Sequence, residues 1–307
     1  MKKFINANLL RMGLVLLTTV LMLLPSQSPA QVPLQIESSS QTVPGSHFKK
    51  VVWIVFENTD FKKVMEQKDF FRISKYGASM TQMIASTHPS QGNYIAMIAG
   101  STLGVTSDSP IDLNAFHLGD LLERKGLSWR VYAEDYPGNC FTGKKSKNYV
   151  RKHVPFMSFI NVTRDPKRCA FIESDQNFNS DFTSRNLPNF SMYIPNLIND
   201  GHDTNVDYAG RWLTAKFGNL LTHPEALEDI LFIITFDESG FFSLSNQIYT
   251  VLIGSQIIPG SQFSSKIGHA ALLKLIEDEY GLGNLGREDS TSPSITGIWK
   301  NRSYHSD

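Results

Sequence analysis

The sequence predicts an α/β protein with a mostly parallel central sheet and helices on both faces. Two observations carry that prediction. Short, continuous β-branched and aromatic runs recur at 51–56, 129–133, 190–194, 230–236 and 248–253, as expected of strands buried on both faces. Helical patterns lie between or after them, at roughly 60–76, 115–125, 204–221 and 269–280. Strand alternating with helix implies parallel pairing through crossover helices. No internal repeat breaks the alternation.

The chain starts with a different texture. Met1-Lys2-Lys3 and Arg11 form a positive segment, and 12–24 is a nearly unbroken apolar run of 13 residues. A membrane-spanning helix needs about 20. Pro25 ends the run, and Ser28-Pro29-Ala30 puts small residues before Gln31, as at a cleavage site. Residues 1–30 are therefore expected to be a signal peptide, and the remainder secreted or periplasmic; the alternative is a retained N-terminal anchor. Residues 31–48 are polar, rich in Ser, Gln and Pro, and lack periodicity, which reads as a flexible leader. Residues 49–307 are expected to form one domain.

Cleavage would remove three of the 29 Lys+Arg residues (Lys2, Lys3, Arg11) and none of the 29 Asp+Glu, leaving a formal charge of −3. That balance argues against a nucleic-acid partner, which a basic surface collects. It leaves room for a small phosphorylated partner held through a cation. The two cysteines, Cys140 and Cys169, are expected to pair in an oxidising compartment; otherwise they are buried thiols. Both lie in the polar, weakly periodic stretch 136–186. It reads as an excursion over the mouth of the sheet, either a lid or binding loop or a surface insertion.

In open α/β sheets, ligands sit beyond the carboxyl ends of the strands. The 51–56 run passes into Glu57-Asn58-Thr59-Asp60, and the 230–236 run into Asp237-Glu238-Ser239. A single acidic pair after a strand is ordinarily a helix N-cap. Two pairs converging on one edge would repel, and a bound cation is the simple offset. In the segment 86–94, Pro89 and Gly92 flank Ser90, which suits a tight turn at a helix start whose backbone N–H groups would hold an anionic oxygen. A serine coordinated to a metal deprotonates near neutral pH and can attack phosphorus. The 190–194 run ends in Pro195-Asn196-Leu197-Ile198-Asn199-Asp200-Gly201-His202-Asp203. There His202 would serve a metal, a phosphate oxygen or a leaving group, or simply brace the turn.

Together these segments resemble the phosphoesterase family of acid phosphatases and phosphatidylcholine-type phospholipases C, within the alkaline phosphatase superfamily. The family's Glu-Asn-Arg-Ser-Phe-Asp is matched by Glu57-Asn58-Thr59-Asp60-Phe61, and its His-Pro-Ser-x-x-Asn-Tyr by His88 to Tyr94. Its Pro-Asn-x-x-Asn-Asp-x-His-Asp is matched by Pro195 to Asp203, and its strand-ending Asp-Glu by Asp237-Glu238. His269 with the apolar pattern after it, then Leu285-Gly286-Arg287, looks like the closing helix and loop. The resemblance implies an alkaline-phosphatase-like core and one divalent metal ion. Its ligands would be Glu57, Asn58, Asp237 and Glu238, together with Ser90, the nucleophile of a phosphoserine intermediate. His202 and Asp203 would be catalytic, and Asn93, Asp200 and His269 would bind substrate. Mixed carboxylate, amide and hydroxyl ligands suit several divalent ions.

With Thr59-Asp60 for Arg-Ser, the first motif keeps its ligands but not its flank, and Ser239-Gly240-Phe241 without the His-Gly-Gly-Phe of larger phospholipases C favours the acid phosphatase branch. The leading expectation is an exported phosphomonoesterase. A phospholipase C-like diesterase taking a phospholipid head group is the alternative, and an apolar rim at 156–160 or Phe241-Phe242 would favour it. A non-catalytic protein that binds metal and phosphate is the third reading.

Overall fold

The computed structural model describes residues 47–301, apart from 241, 242 and 244. The expected signal peptide, and the expected leader up to residue 46, lie outside them. The last two leader residues are inside and are packed: Phe48 is 2% exposed, and His47 stacks on Trp299 with ring centroids 4.2 Å apart. The described residues belong to one unit, 40–307.

In chain order the strands are β1 (Lys50–Phe56), β2 (Ala78–Met80), β3 (Trp129–Ala133), β4 (Lys145–Ser146), β5 (Tyr149–Val150), β6 (Ile172–Ser174), β7 (Phe190–Ile194), β8 (Ile230–Phe236), β9 (Thr250–Gly254) and β10 (Gln262–Phe263). Eight of them form one sheet in the order β10-β2-β9-β8-β1-β7-β3-β6, while β4 and β5 make a separate hairpin. β8, β1, β7, β3 and β6 pair in parallel, and β9 runs opposite to its neighbours β8 and β2. The α/β expectation therefore holds. β1 (KVVWIVF) and β8 (ILFIITF) are buried at every position after the first. Only cover on both faces can bury every residue of a strand whose side chains alternate.

Helices supply that cover. The Lys68–Ser74 helix packs on Val206–Leu221, and Ser90–Ala99 packs on His269–Tyr280. Phe56 and Phe236 sit opposite each other in register. They share a cluster with Phe70, Tyr249 and Trp212, at centroid distances of 5.2–5.8 Å. Each fully buried Phe contributes roughly 1.5–3 kcal/mol.

The helix expected over 60–76 is two, Phe61–Glu66 and Lys68–Ser74. Gln67 between them is extended (ψ 123°), and its side chain caps the second helix by accepting from the Asp69 and Phe70 N–H groups at 2.8 and 2.9 Å. Gly210 makes room for that cap, since a Cβ there would lie 2.4 Å from the Gln67 amide oxygen. Glutamine is a good helix former, so propensity hides the break. β2, β6 and β10 carry no clear sequence signal because they are two or three residues long. Cys140 and Cys169 are joined by a disulfide within the 136–186 stretch, which also supplies edge strand β6.

Glu277 lies on the buried side of the His269–Tyr280 helix, 1% exposed, and neither carboxylate oxygen has a hydrogen-bond partner among the described residues. Burial first, then the charge of Asp289, push its pKa up to about 9, against about 4.5 for an ordinary glutamate. Between those values the folded protein keeps a proton that the unfolded chain has released. Stability from this group is complete below pH 4.5 and falls as pH rises toward 9, by up to about 1.4 kcal/mol per unit. Glu277→Gln is expected to flatten that decline. Urea unfolding at pH 5, 7 and 8.5 measures it, and a variant declining as steeply as wild type would show that Glu277 does not titrate in this window.

Candidate active site

Three neighbouring parallel strands, β8, β1 and β7, end at the same edge of the sheet. The register Phe56↔Phe236 brings the residues after β1 and β8 side by side, and the Asp237 N–H donates to the Phe56 carbonyl at 2.9 Å. On the other flank the Glu57 N–H donates to the Asp200 carbonyl at 3.0 Å. Glu57, Asp237, Glu238 and Asp200 therefore converge, all at most 4% exposed. Asn58 turns the chain away at φ 43°, a left-handed conformation that Asn tolerates better than most residues, and its N–H donates to Asp237 Oδ1 at 3.2 Å.

Ser90 is the first residue of the Ser90–Ala99 helix, after the cis His88–Pro89 peptide. Its hydroxyl lies 3.1 Å from Glu57 Oε2, 3.3 Å from Glu238 Oε1 and 3.5 Å from Asn58 Oδ1. Gly92 lets this helix approach the preceding loop, because a Cβ there would stand 2.6 Å from the Thr87 methyl. The five residues expected as ligands are thus brought together. The free N–H groups expected beside Ser90 are partly used, since Gln91 N donates to Asp108 Oδ1 at 3.1 Å.

Like charges packed out of water raise one another's pKa. Glu57 is pushed well up by burial and then Asp237, Asp237 by burial and Glu238, and Asp200 by burial and Glu57. Glu238 rises to about 8, through burial and then Glu57. Lys152 is the nearby cation, bonded to Asp108 Oδ2 at 2.7 Å; burial lowers its pKa, but Glu57 and Asp108 outweigh that and the net shift is upward. The Asn58 side-chain amide lies 2.8 Å from Glu57 Oε2 and 3.1 Å from Asp237 Oδ1, where its NH2 group can donate to both carboxylates. Among the described residues, Asp237 Oδ2 and Asp200 Oδ2 are buried without a hydrogen-bond donor, His153 Nδ1 standing 3.4 Å from the latter. A hard divalent cation suits this set of oxygens.

Other expected residues have different surroundings. Both ends of the Asn93 amide are taken by Thr87, Oδ1 from its N–H at 3.0 Å and Nδ2 to its carbonyl at 2.9 Å. Asn93 thus clamps the loop before Ser90, and its Nδ2 also donates to Glu238 Oε2 at 3.4 Å. Asp200 is fully buried and accepts from the His202 N–H at 2.8 Å, so it shapes the turn from below. His269 is also fully buried, its Nε2 on the Phe236 carbonyl at 3.3 Å; burial lowers its pKa to about 4, and the neutral ring packs behind Asp237. His202 is partly exposed, with Nδ1 2.6 Å from Asp203 Oδ1.

Residues without a sequence expectation complete the site. His153 is buried, 3.1 Å from Glu57 Oε1 through Nε2 and 3.4 Å from Asp200 Oδ2 through Nδ1. Burial, then Lys152 and His202, hold it neutral. Glu57, His153 and Asp200 form a buried group whose ligand atoms lie within 4.8 Å of one another and could bind a metal. Tyr94 stacks on His153 (centroids 4.9 Å apart, planes at 10°) and bonds Glu57 Oε1 at 2.7 Å, while His88 Nδ1 lies 2.7 Å from Glu238 Oε2. Lys152 and His153 come from the 136–186 stretch, where Arg151-Lys152-His153 beside an apolar run is the only local hint.

Known proteins are similar to this chain in sequence and in fold. The model of the phosphoesterase family matches residues 70–283, a span that begins after Glu57 and Asn58. A probable acid phosphatase of Kluyveromyces lactis is 34% identical over 259 residues, covering 80% of this chain and 62% of that one. The chain thus spans about three fifths of the length of that fungal relative. A phosphatidylinositol-3-phosphatase of Mycobacterium tuberculosis is 34% identical over 259 residues, covering 82% of this chain and 83% of its own. A solved alkaline phosphatase superfamily protein from Vibrio parahaemolyticus shares the fold, with a TM-score of 0.54 and 14% identity over 81% of this chain and 71% of that one. With a matching family model across most of the chain and relatives at this identity, the protein belongs to the phosphoesterase family.

Proposed function

We propose that the chain is an exported, divalent-metal-dependent phosphomonoesterase of the acid phosphatase type, with Ser90 as its nucleophile. The carrying observation is the Ser90 hydroxyl within 3.5 Å of Glu57, Asn58 and Glu238 at the ends of β1 and β8. A cation held by Glu57, Asn58, Asp237, Glu238 and Ser90 would lower the hydroxyl's pKa and offset phosphate charge. Ser90 Oγ attacks phosphorus, the bond to the departing oxygen breaks, and phosphoserine forms. His202, held by Asp203, supplies the proton to that oxygen, and water then releases phosphate. Lys152 adds positive charge to the same centre.

Relatives named as acid phosphatase and phosphatidylinositol-3-phosphatase favour a monoester over a diester. So does the 156–160 segment: Phe156, Met157 and Phe159 are fully buried and make no apolar rim there, while Phe241 and Phe242 lie outside the described residues. Export rests on the N-terminal pattern, and a disulfide is at home in an oxidising compartment.

Hydrolysis of p-nitrophenyl phosphate across acid to neutral pH tests the activity. Ser90→Ala is expected to lose at least about a thousandfold, and a chelator to abolish turnover reversibly. A Ser90→Ala enzyme as active as wild type would sink the nucleophile assignment.

The charge cluster generates a separate expectation. In chelator, Asp237→Asn is expected to stabilise the chain by on the order of 1–3 kcal/mol, because it removes one of four crowded carboxylates. It is also expected to lose the stabilisation that manganese or calcium gives wild type. Urea unfolding with and without each ion decides it; an Asp237→Asn chain less stable in chelator would mean that the cluster is not under repulsion.

A further inference from the structure

A cavity of about 240 Å³ adjoins the candidate site, lined by Gln91 (the residue after Ser90), Lys152, His202 and Asp203. Lys144 and Lys145, at the start of the β4–β5 hairpin, share its lining. Four cations line it against two carboxylates, Asp108 and Asp203, and two of the four are already engaged. Arg151 pairs with Asp112 and donates to the carbonyls of Ile111, Thr142 and Met157, and Lys152 bonds Asp108. Lys144 and Lys145 have no carboxylate partner within 4.0 Å among the described residues.

The backbone that carries these two lysines is held in place relative to the turn of His202. The Arg151 N–H donates to the Lys144 carbonyl at 3.0 Å, closing the hairpin, and buried Tyr149 packs on Tyr136 and Phe141. The Leu197 N–H donates to the Asn148 carbonyl at 3.1 Å, tying the hairpin to the turn that carries His202 and Asp203. Val150 and Leu197 add apolar surface to the cavity wall. Exposed ammonium groups without a carboxylate partner, in a net-positive cavity, attract anions, and each charge-assisted contact to phosphate is strong.

We propose that this cavity is a substrate subsite, in which Lys144 and Lys145 bind a second phosphate group of a small organic bisphosphate. The organic body would lie against Val150 and Leu197. This deepens the phosphomonoesterase reading and rests on it.

The test compares fructose 1,6-bisphosphate with fructose 6-phosphate, which differ by one phosphate. Calorimetric affinities are measured on a Ser90→Ala background at fixed ionic strength, with and without Lys144→Gln/Lys145→Gln. The background chain is expected to prefer the bisphosphate by about tenfold, the ordinary worth of a charge-assisted contact. The double substitution should erase that preference, leaving fructose 6-phosphate affinity unchanged and, in the chain with Ser90 intact, p-nitrophenyl phosphate turnover too. Equal affinities in the background chain, or a preference that survives the substitution, overturn the subsite. If p-nitrophenyl phosphate is not hydrolysed yet the lysine-dependent preference holds, the catalytic reading falls and the subsite stands.

Discussion

Four carboxylates buried together at the ends of three adjacent strands are the constraint around which this molecule is arranged. Isolated carboxylates are expensive out of water, and neighbours of the same sign raise the cost further. What forces Glu57, Asp237, Glu238 and Asp200 into this position is the register of β8, β1 and β7, fixed by ladder hydrogen bonds and by a core in which β1 and β8 are buried from end to end. The surrounding chemistry answers that charge. The Ser90 and Tyr94 hydroxyls and the Asn58 N–H donate to it, and Lys152 sets a cation beside it.

The 136–186 stretch is where that answer originates. It delivers Lys152 and His153 to the charge cluster, contributes β6 to the sheet edge, and carries the disulfide. His153 is held face to face with Tyr94 from the Ser90 helix, so the stretch and the helix meet through stacked rings. Lys152 reaches Asp108, which also caps the Gln91 N–H. One carboxylate thus links the cation from the excursion to the residue after Ser90.

The central strands were legible because they are apolar on both faces: 129–133, 190–194 and 230–236 coincide with β3, β7 and β8. The positions of Glu57, Ser90 and Asp237 followed, since strand ends and a Pro–Gly-flanked turn have few places to go. Side-chain direction was not legible. Asn93, Asp200 and His269 are residue types that bind phosphate in many proteins; here the Asn93 amide engages the Thr87 backbone and Glu238, the His269 ring the Phe236 carbonyl, and Asp200 the His202 N–H with its other oxygen toward His153. His153 was invisible for the opposite reason. It stands in a polar segment without period, and only tertiary packing carries it to Glu57.

Asn58 and Asp237 meet although 179 residues separate them. A chain elongating from its N-terminus completes β1 and β7 before β8 exists, and β8 then joins the open β1 edge of the β1-β7-β3-β6 set. Such distant pairing is slow in any fold, because loop closure precedes its reward. Here the inserting strand also carries two acids toward two already buried. The pairing of β8 with β1 is therefore made against an electrostatic gradient of the protein's own construction, and counterions in the compartment where the chain folds set how steep it is.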